Sequence, residues 1–116
     1  MADRVSVDDL GIWVTLPNGT IGLPWVDVTD VAVYASVLPP DDQRIVWMDA
    51  THVSGEFVEI NNLTEGFHEA VTAVISRSGH DPLDLSRLQP SDPPVEIYRA
   101  HAYSRAITPE VPGRKQ

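Results

Sequence analysis

The histidines are the first residues whose chemistry could matter in this chain of 116 residues, and their spacing does not predict a metal site. None stands in a His-x-His or His-x-x-x-His pattern, since they lie at His52, His68, His80 and His101. Glu69 follows one of them on a predicted helix, where adjacent side chains point in different directions. Cysteine is absent, which excludes disulfides, thiolate nucleophiles and cysteine-ligated metals. We therefore predict neither a metal nor a cofactor.

The serines and carboxylates do not form a recognisable catalytic motif either. No serine lies in a Gly-x-Ser-x-Gly elbow, and no Gly-x-x-x-x-Gly-Lys phosphate loop occurs. Closely spaced acidic pairs are frequent, and we interpret them as parts of solvated faces: Asp27 with Asp30, Glu56 with Glu59, and Asp81 with Asp84. For Asp27 and Asp30 we also expect turn capping through hydrogen bonds to nearby backbone amides. The sequence predicts a protein that is not an enzyme, with an enzyme that lacks a known motif as an alternative.

Aromatic residues are the better candidates for binding. The strand-like context of Trp13, Trp25 and Trp47 predicts that two or all three fill the core or the end of a barrel. Trp13 alternates out of phase with the apolar residues around it, so it is the indole we expect on the surface. An exposed indole buries a large area on binding at low entropic cost. Tyr34 is likewise out of phase with its apolar neighbours, and we expect it on the same outer surface.

The charge of the chain indicates which partners to expect. The formal net charge is −9, with 17 acidic residues against 8 basic ones, and the only lysine is Lys115. Binding to nucleic acid or to an anionic membrane needs clustered lysine and arginine, so we expect neither partner. An acidic domain favours a basic protein partner. Together with the two aromatic residues, four carboxylates complete the predicted binding set: Trp13, Tyr34, Asp41, Asp42, Glu56 and Glu59.

Alternation of apolar and polar residues predicts five or six strands that position this set. The candidates are at 12–16, 20–24, 29–37, 44–53, 56–60 and 95–99, with a possible short strand at 5–7. The alternation at 44–53 is less regular than in the others. Asn18 and Gly19 between two alternating runs predict a type I′ hairpin turn. The core face of the strand at 56–60 is either Val58 with Ile60 or Phe57 alone.

One helix is predicted, from about residue 65 to 78. Its apolar stripe is formed by Phe67, Val71, Val74 and Ile75, at the spacing of one helix face. Thr64 or Asn62 is expected to cap its start, and Gly79 to end it. A short helical turn is expected near Leu85 and Leu88.

The chain reads as one domain, residues 1–105, followed by a disordered tail at 106–116. The first residues are acidic where a signal peptide has a basic start and an apolar run. No apolar stretch approaches the roughly 20 residues that span a bilayer. We therefore expect a cytoplasmic protein with an α+β fold, in which a small curved antiparallel sheet or partly open barrel encloses one amphipathic helix.

Four segments carry a resemblance to a known family. The strand at 11–14, the Pro-Asn-Gly turn at 17–19, the Pro-Trp-x-Asp-Val-x-x-Val run at 24–31 and the passage from Glu-Ile into Gly-Phe at 59–67 resemble small bacterial pleckstrin-homology-like domains. The resemblance covers roughly residues 10–78. In the usual order of that fold the helix comes last, whereas here a predicted strand follows it.

Lipid-binding members of the pleckstrin-homology class hold inositol phosphates with basic residues in the first hairpin. Residues 17–20 contain no basic side chain, so we expect no phosphoinositide binding. The resemblance then implies protein recognition through a sheet edge, a loop or a groove. A small acidic protein without cysteine is also similar to immunity proteins and bacterial adaptors that neutralise basic partners. The alternative is a structural subunit that forms a homo-oligomer through an edge strand such as 95–99.

Overall fold

The structure is a computed structural model that describes residues 3–100, which contain seven strands, one α-helix and two 3-10 turns. The strands are β1 (Arg4–Val7), β2 (Gly11–Leu16), β3 (Gly19–Pro24), β4 (Val28–Leu38), β5 (Gln43–His52), β6 (Phe57–Asn61) and β7 (Val95–Arg99); the helix is α1 (Phe67–Ser78), and the turns are Trp25–Asp27 and Leu85–Arg87. Within residues 3–100, no helix is long and apolar enough to cross a membrane. The tail predicted at 106–116, and the domain end predicted at 105, lie outside the described residues.

The strands form two antiparallel sheets, with the orders β1-β2-β3 and β6-β5-β4-β7. Helix α1 contacts β1 and β7, so it joins the two sheets on one side of the core. On the other side, β3 and β6 are edge strands and the sheets do not close into a barrel. The α+β class with antiparallel sheet and one amphipathic helix is confirmed. The strands number seven because both short candidates near the chain ends pair with longer neighbours.

The first hairpin has the predicted strands but a different turn. Residues 12–16 do pair with 20–24, whereas the expected type I′ turn centred on Asn18 and Gly19 is wrong. Leu16 pairs with Gly19, so the two loop residues are Pro17 and Asn18. Proline fixes φ near −65°, and a type I′ turn needs positive φ at both central residues. Gly19, with φ of 150°, begins β3 instead.

The core lies between the two sheets and is filled by the apolar face of α1. All four residues of the predicted helical stripe are buried. They meet the alternate residues of the sheets, among them Ile12 and Val14 of β2, Val31 and Val33 of β4, Met48 of β5 and Ile60 of β6. The period-two and period-3.6 patterns therefore converge on one core, which leaves the opposite face of each sheet toward solvent.

One tryptophan, Trp25, belongs to this core, which corrects the expectation of two or three. It is 7% exposed, and its Nε1 donates a hydrogen bond of 2.9 Å to the carbonyl oxygen of Asp8. The Arg77 guanidinium at the end of α1 lies 4.5 Å from the centre of its ring. Trp13 and Trp47 are half-buried on the outer faces of the sheets, because each occupies a position that alternates with the buried residues of its strand.

The start of α1 is set by β1 and not by a side-chain cap, so the predicted capping by Thr64 or Asn62 is wrong. The helix begins at Phe67 after Gly66, whose φ is 85° and whose position has no side-chain capping bond. The Val5 N–H donates to the Glu65 carbonyl oxygen at 2.9 Å, and a Cβ on Gly66 would lie 2.3 Å from the Val5 carbonyl oxygen. The predicted end at Gly79 is confirmed by its φ of 75°.

Candidate functional site

The outer side of the four-stranded sheet carries a group of residues that we call the acidic-aromatic face. It consists of Tyr34 from β4, Trp47 and Asp49 from β5, and Phe57 and Glu59 from β6. The register places Tyr34 opposite Trp47, and Asp49 opposite Glu59. Ile60 is buried, Val58 is half-buried and Phe57 is 57% exposed, so the core face of β6 is Val58 with Ile60. Three strands thus bring two carboxylates and three aromatic rings to one surface.

Hydrogen bonds hold two of the aromatic side chains in place. The Tyr34 hydroxyl donates to Glu59 Oε2 at 3.0 Å, which links β4 to β6 across β5. The Trp47 Nε1 donates to the Ser36 hydroxyl at 2.8 Å. Burial, followed by the hydrogen bond to Glu59, raises the pKa of Tyr34, so its hydroxyl stays protonated at neutral pH. The Tyr34 and Trp47 side chains are therefore held in place by bonds within the chain.

Asp49 is the least satisfied polar residue of this face. Its Oδ1 is buried and has no hydrogen-bond partner within residues 3–100. Burial, and then the negative charge of Glu59, raise the pKa of Asp49 to about 6, while the nearby Tyr34 hydroxyl acts in the opposite direction. Like charges directly opposite each other in a sheet are destabilising. The face thus holds an acidic pair that lacks a compensating cation.

All five arginines between residues 3 and 100 are engaged elsewhere. Three of them form ion pairs, Arg4 with Glu65, Arg87 with Asp84 and Arg99 with Glu96. The Arg44 guanidinium donates to the carbonyl oxygens of Leu85 and Leu88 at 2.6 and 2.7 Å. The fifth, Arg77, stacks on Trp25. None of the five arginines between residues 3 and 100 is paired with Asp49 or Glu59.

Trp13, the first residue of the predicted binding set, lies on β2 in the other sheet. It was expected to share a surface with Tyr34, but the two residues belong to different sheets. The Trp13 ring covers Gly22, and its Nε1 donates to Asp8 Oδ1 at 2.9 Å. This indole is half-buried and has a hydrogen-bond partner.

The structure separates the four predicted carboxylates. Asp41 and Asp42 lie in the β4–β5 turn, and Glu56 lies at the opposite end of β5, before β6. With ten residues in β5, the two ends of the sheet are roughly 30 Å apart. Of the six residues predicted, Tyr34 and Glu59 are in direct contact, whereas the aspartates of the turn are remote from both.

Several cavities are formed by residues 3–100, and two of them lie beside the sheets and α1. One of about 570 Å³ lies between β3 and the β5–β6 hairpin, and Glu56 and Phe57 contribute to its lining together with Ile21 and His52. Another of about 650 Å³ lies between α1 and the segment 80–86. Two of its polar lining residues bond to each other, since Asp84 Oδ1 accepts from the N–H and the hydroxyl of Ser86. The first cavity adjoins the acidic-aromatic face through Phe57.

Sequence reasoning did not find Asp49 and Trp47 as members of the site. The acidic pairs considered were close along the chain, whereas Asp49 and Glu59 are ten positions apart and meet only across strands. The strands predicted at 44–53 and 56–60 imply an antiparallel hairpin, but a two-residue loop at 54–55 would pair Asp49 with Ile60. In the structure the His52 N–H donates to the Glu56 carbonyl oxygen, and this longer loop places Asp49 opposite Glu59.

Comparisons with family models, with curated proteins and with solved structures gave no significant match. The resemblance to pleckstrin-homology-like domains therefore stays a prediction. Within residues 3–100, no group of three or more histidine, aspartate or glutamate side chains could hold a metal ion.

Proposed function

We propose that this chain is a non-enzymatic protein-binding domain that recognises a basic segment of another protein through its acidic-aromatic face. The observation that carries the proposal is the uncompensated pair of Asp49 and Glu59, with the buried Asp49 Oδ1 lacking a donor. A buried acceptor without a donor costs about 1–3 kcal/mol. A lysine or arginine from a partner relieves both that cost and the repulsion between the carboxylates.

The aromatic rings beside the pair suit the same ligand. Tyr34, Trp47 and Phe57 offer apolar area for the stem of a long basic side chain and ring faces for its charge. Tyrosine and tryptophan are enriched among the residues that dominate the energy of protein interfaces. The net charge of −9 adds long-range attraction that speeds the encounter with a basic protein.

The same proposal assigns the chain to cytoplasmic proteins of the immunity or adaptor kind, which neutralise a basic partner by charge complementarity. That assignment is supported by the net charge and by analogy with small acidic proteins that bind basic partners. A homo-oligomer built on the edge strand β7 is the competing outcome of the experiment below.

The experiment compares what three immobilised proteins retain from a lysate of the source organism. They are the wild type, the double variant Asp49→Asn/Glu59→Gln, and the control Asp41→Asn/Asp42→Asn, which removes the same charge at the remote turn. We expect a basic protein on the wild type and the control, reduced severalfold on the first variant, and lost in about 0.5 M salt, where charges are strongly screened.

Two results would contradict the proposal. Equal retention by all three proteins would mean that recognition does not involve the face. If the immobilised protein retained only further copies of its own chain, and salt did not reduce this retention, the result would support the homo-oligomer instead.

A further inference from the structure

The elements around the core leave one gap. Starting from β3, the order is β3-β2-β1, then α1, then β7-β4-β5-β6, so the helix fills the space between β1 and β7. No strand within residues 3–100 fills the corresponding space between β6 and β3. The cavity of about 570 Å³ lies there, lined on one side by Ile21 and Leu23 and on the other by Phe57 and Val58.

Backbone groups of β6 point into this gap. At the two ends of the β5–β6 ladder, the His52 N–H donates to the Glu56 carbonyl oxygen and the Asn62 N–H to the Val46 carbonyl oxygen, at 2.7 and 2.9 Å. Bonds of this kind alternate along an antiparallel ladder. The even-numbered residues of β6 therefore bond to β5. The free edge presents the N–H and C=O groups of Phe57 and Glu59 and the N–H of Asn61, whose carbonyl oxygen accepts from the Thr64 N–H at 3.0 Å.

The side chains of β6 decide which strand fits this edge. Phe57 and Glu59 belong to the acidic-aromatic face, and Glu59 stands opposite Asp49. An acidic side chain in the middle of an edge strand repels an acidic neighbour and accepts a basic one. A second copy of this chain carries the same negative charge, and its three arginines within strands, at 4, 44 and 99, are already engaged.

We infer that the gap is the docking site for an extended, basic segment of a partner protein, which adds a strand to the free edge of β6. This inference rests on the proposed function, because it specifies how the basic partner is held. The backbone of the segment pairs with Phe57, Glu59 and Asn61, its basic side chains meet Asp49 and Glu59, and its apolar side chains enter the cavity beside Ile21. Strand addition of this kind draws affinity from the backbone and specificity from alternate side chains.

Amide hydrogen exchange in the full-length protein tests the pairing directly. The probe is the blocked heptapeptide Thr-Lys-Val-Arg-Val-Lys-Thr, and the amides of Val58 and Ile60, which bond to β5, are internal controls. We expect the amides of Phe57, Glu59 and Asn61 to exchange fast in the free protein and at least roughly tenfold more slowly with the peptide. Slow exchange of these three amides in the free protein would overturn the inference, because another part of the chain, or a second copy, would already occupy the edge.

A matched peptide separates this inference from the proposed function. Thr-Glu-Val-Glu-Val-Glu-Thr has the same strand propensity and the opposite charge, and we expect it to give no protection. Equal protection by both peptides would show strand pairing without preference for a basic partner, which contradicts the proposed function and the choice of occupant. Binding of the basic peptide by calorimetry without protection of β6, or no binding while a basic protein is still captured from lysate, would overturn strand addition alone.

Two substitutions at one position provide a second readout. Phe57→Ala and Phe57→Pro both remove the ring, but only the proline removes an N–H from the free edge, and the first residue of an edge strand tolerates proline. We expect the proline variant to bind the basic peptide roughly fivefold more weakly than the alanine variant, the loss of about one hydrogen bond. Equal affinities would contradict pairing at this edge.

Discussion

Each sheet has a half-buried tryptophan on its outer face, Trp13 on one and Trp47 on the other, and an aspartate lies near each of them. The pKa values of the two aspartates are shifted in opposite directions. On the three-stranded sheet, Asp8 Oδ1 accepts hydrogen bonds from Trp13 Nε1 and from the backbone N–H groups of Leu10 and Gly11. Those bonds, the Trp13 bond first, lower the pKa of Asp8. On the four-stranded sheet, Asp49 has a buried oxygen that receives no hydrogen bond from residues 3–100, and its pKa is raised.

The difference separates a structural site from the proposed binding site. The hydrogen-bonding capacity of Asp8 is used within the chain, so its charge stabilises the turn before β2. Asp49 is half-buried against Glu59 with no cation from residues 3–100 beside it, so its charge opposes folding. Under the proposed function, a basic group of the partner removes this cost. Asp8 is exposed and its Oδ1 accepts three hydrogen bonds, whereas Asp49 has one oxygen unpaired within residues 3–100, so burial and hydrogen bonding together distinguish the two aspartates.

The largest effect is expected from Gly22→Ala, which tests the structural site on the three-stranded sheet. A Cβ at this position lies 2.4 Å from Trp13 Cζ3, so the indole has to move and its bond to Asp8 is disturbed. We expect a loss of about 2 kcal/mol in the free energy of unfolding, or roughly 10 °C in Tm by calorimetry. Thr20→Ala, an exposed change on the same strand, is the control. A Tm equal to that of the control would show that the Trp13 contact carries no stability.

Asp49→Asn is expected to change the stability of the protein in the opposite direction to Gly22→Ala. The folded protein raises the pKa of Asp49 to about 6 from an ordinary value of 3.8, so it prefers the protonated form. The contribution of the Asp49 carboxyl group to the stability of the folded state is therefore complete below pH 4 and is lost as the pH rises through 6. We expect the variant to be about 1 kcal/mol more stable than the wild type at pH 8, after allowing for solvent screening of a half-buried group, and equally stable near pH 4.

Asp8→Asn is the matched control for that measurement. The lowered pKa of Asp8 means that its charge stabilises the folded state above its unfolded pKa and that this contribution falls away in acid. The control is therefore expected to destabilise the protein at neutral pH. The comparison fails if both asparagine variants shift Tm in the same direction at pH 8.

The sequence predicted most elements of the fold because period-two and period-3.6 patterns report burial directly. It failed where tertiary contacts decide: the start of α1 depends on the approach of β1 to Gly66, and the first hairpin turn depends on Pro17. It found Tyr34 and Glu59 by phase and charge, yet it missed Asp49, because cross-strand neighbours depend on register. Trp13 shows the limit of phase, since it points outward as predicted but is tied down by Asp8.

Tyr34→Phe has the smallest expected effect on stability. It removes the hydroxyl that donates to Glu59 and that partly offsets the raised pKa of Asp49. We expect a change of roughly 0.5 kcal/mol in unfolding free energy, together with an Asp49 pKa above the wild-type value of about 6 in a carboxyl ¹³C titration. An unchanged or lower pKa would mean that the hydroxyl does not act on this pair.

The indole N–H signals of the three tryptophans provide the most direct test of the central claim that the acidic-aromatic face is the recognition surface. In a ¹H–¹⁵N NMR titration of the full-length protein with the basic heptapeptide, Trp47 reports on that face, Trp13 on the opposite sheet and Trp25 on the core. The account predicts that the Trp47 signal shifts in a saturable way while those of Trp13 and Trp25 stay in place. A shift of the Trp13 signal with Trp47 unmoved would contradict the account.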